Sequence, residues 1–425
     1  MFFPALAQVL AQHYAVRDIV GEVGNVTAVF GNHDERTLAQ LNGVASRAAY
    51  AALMADGHSG YLMPIGGVAA YRNQVSVPGV GYDIACGNAA IMTDRFINEF
   101  DRRELELIAD EIQRSISFGI GRTNRADDAP VDHPLFRSDA WSLLPDDARA
   151  KELKSKARGQ LGTVGSGNHY VDVFADRADG RIWVGVHFGS RGLGHTIASG
   201  FLALAANEKW GQRVKESDAI LDLDKPLGQD YWSLMNLAGE YAYAGREWVA
   251  RKVVGMLGAH EVELVHNHHN FAWEENQFGE KLIVVRKGAT PAFPGQKGFI
   301  GGSMGDDAVI VQGASDNPLQ QDALFSTVHG AGRVMSRTQA RGKTKGWGPR
   351  ARIVSPGLVS QEMLDTWMEE KGVILRGGGL DEAPQAYRRL PEVLAAQKGT
   401  IEVIHTLRPV IVVMAGAHEF DPYKD

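Results

Sequence analysis

Five stretches of this chain share one local pattern. An apolar, strand-like run reaches a histidine, and Gly, Ser or Asn lies immediately beside it. The stretches are Asp56-Gly57-His58-Ser59-Gly60-Tyr61, Gly165-Ser166-Gly167-Asn168-His169-Tyr170, Val186-His187-Phe188-Gly189-Ser190-Arg191-Gly192, His266-Asn267-His268-His269-Asn270 and Val328-His329-Gly330-Ala331-Gly332-Arg333. A strand that stops at such a turn sets an imidazole beside exposed backbone N–H groups. Neutral imidazole binds borderline metals and turns of N–H groups bind anions, so the pattern suits a site holding metal ions and phosphate together. Any one of these histidines could be satisfied by a backbone carbonyl in a core. Five in one context point to a site built where strands end in glycine turns. Asp83-Ile84-Ala85-Cys86-Gly87 adds a carboxylate and a thiol at i and i+3, both able to reach one metal from a turn, and a bridging thiolate can serve two metals.

The fold must supply many such turns. Glycine accounts for 49 of 425 residues, above the usual share of about 7%, which implies tight turns or close backbone approaches. Hydrophobic residues at 44% and charged residues at 22% fit a globular chain and exclude disorder, a coiled coil or a disulfide-stapled scaffold. With no repeat and no long linker, residues 1–425 are expected to form a single large domain, with 124–158 a surface excursion and 417–425 a short tail. Apolar periodicity predicts helices over Arg36–Ala55, Asp101–Ser117, His195–Val214, Gln229–Leu257, Gln361–Glu370 and Pro384–Ala396. Strands are expected at Val26–Phe30, Tyr170–Phe174, Arg181–His187, Val262–His266, Lys281–Arg286, Ala308–Gln312, Thr400–His405 and Val410–Met414. Helices and strands do not alternate, so the expected class is α+β, a β-sheet core flanked by helices.

No apolar run nears the roughly 18 residues of a membrane-spanning helix, and the start of the chain lacks the cationic region of a secretory signal. The lone cysteine, Cys86, fits a reducing compartment, so a cytoplasmic location is expected. A net charge of −7 argues against indiscriminate nucleic-acid binding. Against that background, His329 to Arg352 stands out. It carries Arg333, Arg337, Arg341, Lys343, Lys345, Arg350 and Arg352 and no acid, with Trp347 available to stack a base. A polyanion such as a nucleic-acid end suits it, and a solvated basic face is the plainer reading. Two glycine-rich turns, Gly162–Asn168 and Gly298–Gly305, follow the logic of backbone anion cradles.

Taken together these motifs resemble the RtcB-type RNA ligases from about Asp56 to Gly416. The likeness rests on His58-Ser59-Gly60-Tyr61 with Pro64-Ile65-Gly66-Gly67-Val68-Ala69, and on Gly79-Val80-Gly81-Tyr82-Asp83-Ile84 running into Cys86-Gly87. Gly167-Asn168-His169, His187-Phe188-Gly189-Ser190-Arg191-Gly192, His268-His269-Asn270 and Arg286-Lys287-Gly288 follow in order. Gly302-Ser303-Met304-Gly305, His329-Gly330-Ala331-Gly332-Arg333 and His405-Thr406-Leu407-Arg408-Pro409 complete it. The resemblance implies a GTP- and Mn2+-dependent enzyme that joins RNA 3′-phosphate or 2′,3′-cyclic phosphate ends to 5′-hydroxyl ends, in RNA repair or tRNA processing. Some members of the family use an activating protein. By motif, two manganese ions per chain would share Cys86, with Asp83 and His169 completing one position and His187 and His269 the other. His329 matches the guanylylated nucleophile. Asn168, Asp172, Asn270, Gly302, Ser303, Met304, Gly330, Ala331 and Gly332 match nucleotide-contacting positions. Arg337, Arg341, Lys343 and Arg350 are expected to contact the RNA backbone, on charge alone.

Three positions depart from the family pattern. Asp172 stands where a glutamate is usual, Val285 where many relatives have histidine, and Met414 where a lysine commonly helps to bind and activate the guanylate. Lys424, in the tail, is a cation that could substitute. These departures keep two other readings open. One is a metal-dependent phosphoesterase or cyclic phosphodiesterase acting on RNA ends, the other a non-catalytic RNA-end binder.

Overall fold

The computed structural model describes residues 24–124, 130–145, 148–215, 217–315, 317–345, 352–397, 399–417 and 419. Two sheets organise the chain. The larger runs in the order Lys297–Ile300, Ala308–Gly313, Ile401–Gly416, Tyr170–Asp176, Arg181–Phe188, Gly87–Phe96, Glu261–His268, with Ile374–Gly378 paired in parallel along Ile401–Gly416. The smaller has the order Val26–Val29, Tyr50–His58, Ile65–Tyr71, Glu280–Lys287, Asn270–Gln277. Helices Arg102–Ser115 and Pro226–Met256 cover the larger sheet, burying Leu105, Ala109 and Ile112 from the first and Val249, Ala250 and Val253 from the second against Val171, Val184 and Val186. The expected α+β class, a sheet core flanked by helices, is what the chain forms.

Register explains why the histidines converge. The strands Tyr170–Asp176, Arg181–Phe188, Gly87–Phe96 and Glu261–His268 are successive antiparallel neighbours, so starts and ends alternate at one edge. Tyr170 faces His187, His187 faces Asn88 and Gly87 faces His268. His169 and Cys86 therefore enter their strands at the edge where His187 and His268 leave theirs. His269 lies between Glu261–His268 and Asn270–Gln277, at the step where the chain passes from the larger sheet to the smaller.

Several elements differ from expectation for physical reasons. The helix expected over Arg36–Ala55 stops at Ala45, and Tyr50–His58 is a strand. Its alanines favour a helix locally, but Ala51, Ala52, Leu53 and Met54 are fully buried in the smaller sheet, and packing overrides propensity. The strands expected at Thr400–His405 and Val410–Met414 are one strand, Ile401–Gly416, interrupted by a register shift between Pro409 and Ile411 that accommodates the missing proline N–H. The helix expected from His195 to Val214 occupies Arg191–Ala205. That expected from Pro384 is a 3-10 turn at Pro384–Ala386 followed by Leu390–Ala396. Strands at Ile65–Tyr71, Gly87–Phe96 and Asn270–Gln277 escaped the alternation test because glycine and polar residues interrupt their apolar pattern.

The segment 124–158 is more than a surface excursion. Leu135, Phe136, Trp141, Leu153 and Ala157 are buried in the largest core cluster, and Phe136 stacks on Trp141 and meets Tyr241 of the long helix edge-on. Its scattered charges hide widely spaced apolar anchors. Among the described residues no helix is long and apolar enough to cross a membrane. Lys345 and Arg352 lie on the short hairpin Gly342–Lys345 and Arg352–Pro356. Trp347, Arg350 and Lys424 lie outside the described residues.

Candidate metal centre and nucleotide pocket

The sheet edge opens into a cavity of about 800 Å3 lined by both polar and apolar groups. At its base lie two triads of potential metal ligands, Asp83, Cys86 and His169 in one and Cys86, His187 and His269 in the other. Within each triad the donor atoms lie within 4.8 Å of one another. Cys86 belongs to both. Its Sγ is 3.7 Å from His169 Nε2 and 3.7 Å from His187 Nε2, and Asp83 Oδ2 is 3.2 Å from His169 Nε2.

The imidazoles are oriented from behind. His169 Nδ1 lies 2.8 Å from the Val164 carbonyl and His187 Nδ1 2.7 Å from Asn88 Oδ1. Both contacts are to oxygen acceptors, so Nδ1 carries the proton in each and Nε2 presents a lone pair beside Cys86. Burial pushes the pKa values of His187 and His269 well below the ordinary histidine value, which keeps both neutral, as ligation requires. Burial also opposes ionisation of Asp83, but the His169 hydrogen bond and the nearby Arg191 guanidinium outweigh it and hold the carboxyl below its usual range. Burial, then the charge of Asp83, raises the Cys86 thiol, and the Arg246 guanidinium only partly offsets this.

These residues fit a pair of borderline divalent cations. His269 Nδ1 is buried without a hydrogen-bond partner, an expense that a ligand would relieve. A cation at the shared thiol would supply the positive charge that Cys86 lacks. The S, N and O donors match manganese, iron, cobalt or zinc better than magnesium. Asn88 was not singled out from the sequence, although its spacing carried the signal. Two residues beyond Cys86 on an extended chain, it faces the same side. Asn88→Ala is expected to weaken Mn2+ binding by about 10- to 100-fold while leaving two ions per chain at saturation, measurable by calorimetric titration.

Arg246 was likewise missed. Fully buried on the long helix, it donates to the carbonyls of Ala85 (2.8 Å) and Phe188 (2.6 Å) and contacts His268 Nδ1 (2.8 Å). Ala85 holds φ +61°, a left-handed conformation, and Arg246 braces that turn against the strand carrying His187.

His329 stands beside the second triad, its ring centroid 4.9 Å from that of His269. Asp56 Oδ2 accepts from the backbone N–H groups of His329 (3.0 Å) and Gly330 (3.3 Å) and lies 2.6 Å from His329 Nδ1. The last contact runs off the hydrogen-bonding direction, leaving Nδ1 and Asp56 Oδ1 without directed partners. Gly332, at φ +74°, lets the Gly330-Ala331-Gly332 turn close on this aspartate, since a Cβ there would stand 2.4 Å from the Asp56 carbonyl oxygen.

The expected nucleotide-contacting residues all line this cavity. Asn168 is exposed at its wall, Asn270 Oδ1 accepts from Gly288 N–H (2.7 Å), and Ser303 Oγ donates to Asp306 Oδ2 (2.8 Å). Gly302 permits a close turn, since a Cβ there would meet the Asp307 carbonyl at 2.4 Å. Asp172 is buried on the strand beside Val412, and burial drives its carboxyl well above the normal carboxylate range, with the Val413 backbone N–H offsetting only part. Met414 joins the same wall, where the resemblance led to the expectation of a lysine.

The basic residues divide. Arg337 lines the cavity but is held by Glu382 (Nε to Oε1, 2.8 Å), which also pairs with Arg333 (3.0 Å) and accepts from the Tyr387 hydroxyl. Its charge is committed within the wall, because the run that looked unopposed meets an acid 45 residues on. Arg341 and Lys343 lie outside the lining, on the helix Arg337–Arg341 and the hairpin that follows.

Comparisons agree with this geometry. The family described as tRNA-splicing ligase RtcB matches residues 36–415. The tRNA-splicing ligase RtcB of Nanoarchaeum equitans is 30% identical, the alignment covering 89% of this chain and 92% of the relative. That of Thermococcus kodakarensis is 31% identical over 88% and 90%, and the RNA-splicing ligase RtcB of Escherichia coli K12 is 31% identical over 85% and 89%. With the family signature spanning nearly the whole length and the motifs meeting at one sheet edge, the chain belongs to the RtcB family.

Proposed function

We propose that this chain is an RNA ligase that uses GTP to join RNA 3′-phosphate or 2′,3′-cyclic phosphate ends to 5′-hydroxyl ends in RNA repair or tRNA processing, with His329 as its guanylylated nucleophile. The observation that carries the reading is the placement of His329, aligned by Asp56, beside two ligand triads that share one thiol. Two manganese ions, held by Asp83, Cys86 and His169 and by Cys86, His187 and His269, would neutralise phosphate charge around the reacting phosphorus. His329 attacks the α-phosphorus and pyrophosphate leaves. The imidazole then passes GMP to the RNA 3′-phosphate, splitting one difficult displacement into easier ones. Asn168, Asn270, Ser303 and the glycine turns at 302 and 330–332 hold the nucleotide, Met304 and Met414 supplying apolar wall. A 2′,3′-cyclic end is opened by water before activation. Exposed Lys343 extends from the hairpin outside the pocket, where an RNA backbone would pass.

Intact-mass spectrometry after incubation with GTP and Mn2+ tests this. The parent is expected to gain one GMP and His329→Ala none. Met414 in the pocket wall favours a second reading. A parent that binds manganese but gains no GMP, and hydrolyses RNA cyclic phosphate without GTP, would be a phosphoesterase.

A further inference from the structure

Gly302, Ser303 and Met304 form a turn in the cavity wall, and among the described residues no oxygen accepts from the backbone N–H groups of Ser303 or Met304. A turn of this kind can cradle an anion once its shape is fixed. The helix Gln361–Lys371 fixes it. Leu364 and Met368, one turn apart on that helix, are buried in one cluster with Met304, Val412 and Met414. Trp367, beside Met368 in the chain, donates its indole N–H to the Met304 carbonyl (2.9 Å). Gly305 makes room for this contact. It holds φ +80°, and a Cβ there would stand 2.7 Å from Trp367 Nε1.

A second tie reaches the same turn through charge. Asp306 Oδ2 accepts from the Ser303 hydroxyl (2.8 Å) and from the Arg389 guanidinium (2.9 Å), and the Asp306 N–H donates to the Ser303 carbonyl (2.9 Å). With its proton committed to Asp306, Ser303 keeps its Oγ lone pairs for a donor on the ligand. Arg389 also lies over the Trp367 ring, its Cζ 4.3 Å from the ring centroid, and Lys371 Nζ stands 4.6 Å from the same centroid. Arg389 therefore joins the two ties. Trp367, Asp306 and Arg389 do not line the cavity themselves, so each acts on a ligand there only through the turn.

Resting on the reading above that this turn holds the nucleotide, we propose that Trp367 and Arg389 are positioning residues for GMP uptake. They hold the 302–304 turn in its ligand-receiving shape before GTP arrives, so that binding does not have to order it. Neither residue belongs to the metal triads. Loss of either tie leaves His329 and the triads in place and makes the ordering of the turn a cost of nucleotide binding.

The test reads binding and transfer separately. Trp367→Phe keeps an aromatic ring for Arg389 and loses only the indole donor, whereas Trp367→Ala and Arg389→Ala each lose a whole tie. In protein carrying His329→Ala, which removes the proposed nucleophile, the Kd for GTP with Mn2+ is expected to rise about 5-fold with Trp367→Phe and about 10-fold or more with either alanine variant. Arg389→Lys, which keeps a cation for Asp306 and the ring, should recover most of what Arg389→Ala loses. With His329 restored, the KM of GTP for GMP uptake should rise by the same factors while kcat stays within about 2-fold and bound Mn2+ stays at the parental level. Parental GTP affinity in both alanine variants would overturn the proposal, as would a fall in kcat with KM unmoved. Loss of manganese together with affinity would also overturn it, because the damage would then extend beyond the turn. A protein that binds GTP with these shifts but takes up no GMP would overturn the ligase reading and leave the brace standing. A parent that binds no GTP would overturn both.

Discussion

Cys86→Ala is expected to remove both metal positions, taking bound Mn2+ from two ions per chain to none at micromolar free metal, as measured by elemental analysis after desalting. Cys86 is the only residue common to the two triads among the described residues, so its loss leaves Asp83 with His169 on one side and His187 with His269 on the other. Two protein donors hold a borderline divalent ion far more weakly than three. GMP uptake is expected to fall below detection with the metals. His169→Ala makes the contrast. It strips only the triad containing Asp83, and one ion should remain on Cys86, His187 and His269. If Cys86→Ala keeps one tightly bound ion, the two positions do not share the thiolate.

How much of this was legible in the sequence depended on whether the signal was local. A histidine followed by a glycine turn is a local statement about where a strand ends, and His169, His187 and His269 could be singled out from spacing alone. That these residues meet follows from antiparallel register, which no local pattern encodes; the family likeness grouped them. Asp56 reaches His329 across 273 residues, and it sits in a strand whose alanines read as a helix. Arg246 gives no sign in its own neighbourhood. In the middle of a 31-residue amphipathic helix a lone arginine looks solvent-facing, and only the fold reveals that it spans the turn at Ala85 and the strand end at Phe188. The charge run after His329 misled in the opposite sense. Counting Lys and Arg within a window missed Glu382, which commits Arg333 and Arg337 to the cavity wall.

Two of the three departures gather in one place, while Val285 lies fully buried in the smaller sheet. Asp172 and Met414 lie on adjacent antiparallel strands, with Val412 directly opposite Asp172 and Met414 two residues on, on the same side. A lysine at 414 would offer a cation to the buried Asp172 carboxyl, whose Oδ1 has no partner. With methionine there, no such cation is offered, and burial raises the Asp172 carboxyl well above its usual range.

Asp56→Asn is expected to slow GMP uptake by His329 about 10²- to 10⁴-fold while bound Mn2+ stays at the parental level. Asp56 is fully buried, belongs to neither triad, and its Oδ2 is the atom within 2.6 Å of His329 Nδ1. The attacking nitrogen of a neutral imidazole must carry the lone pair, so Nδ1 must keep the proton if Nε2 is to reach phosphorus. A carboxylate 2.6 Å from Nδ1 favours that tautomer through its charge and stabilises the positive charge that develops as the P–N bond forms. An amide of the same shape can turn its NH2 toward the ring, which favours the opposite tautomer and removes the compensating charge. It also weakens acceptance from the N–H groups of His329 and Gly330, so the crystallographic position of the 329–332 turn should be checked alongside the rate. A variant with the turn unmoved, both metals bound and GMP uptake slowed assigns the loss to proton placement on His329. Unchanged uptake in that variant would mean that Asp56 serves only to brace the turn, and that the tautomer of His329 is set by the nucleotide itself.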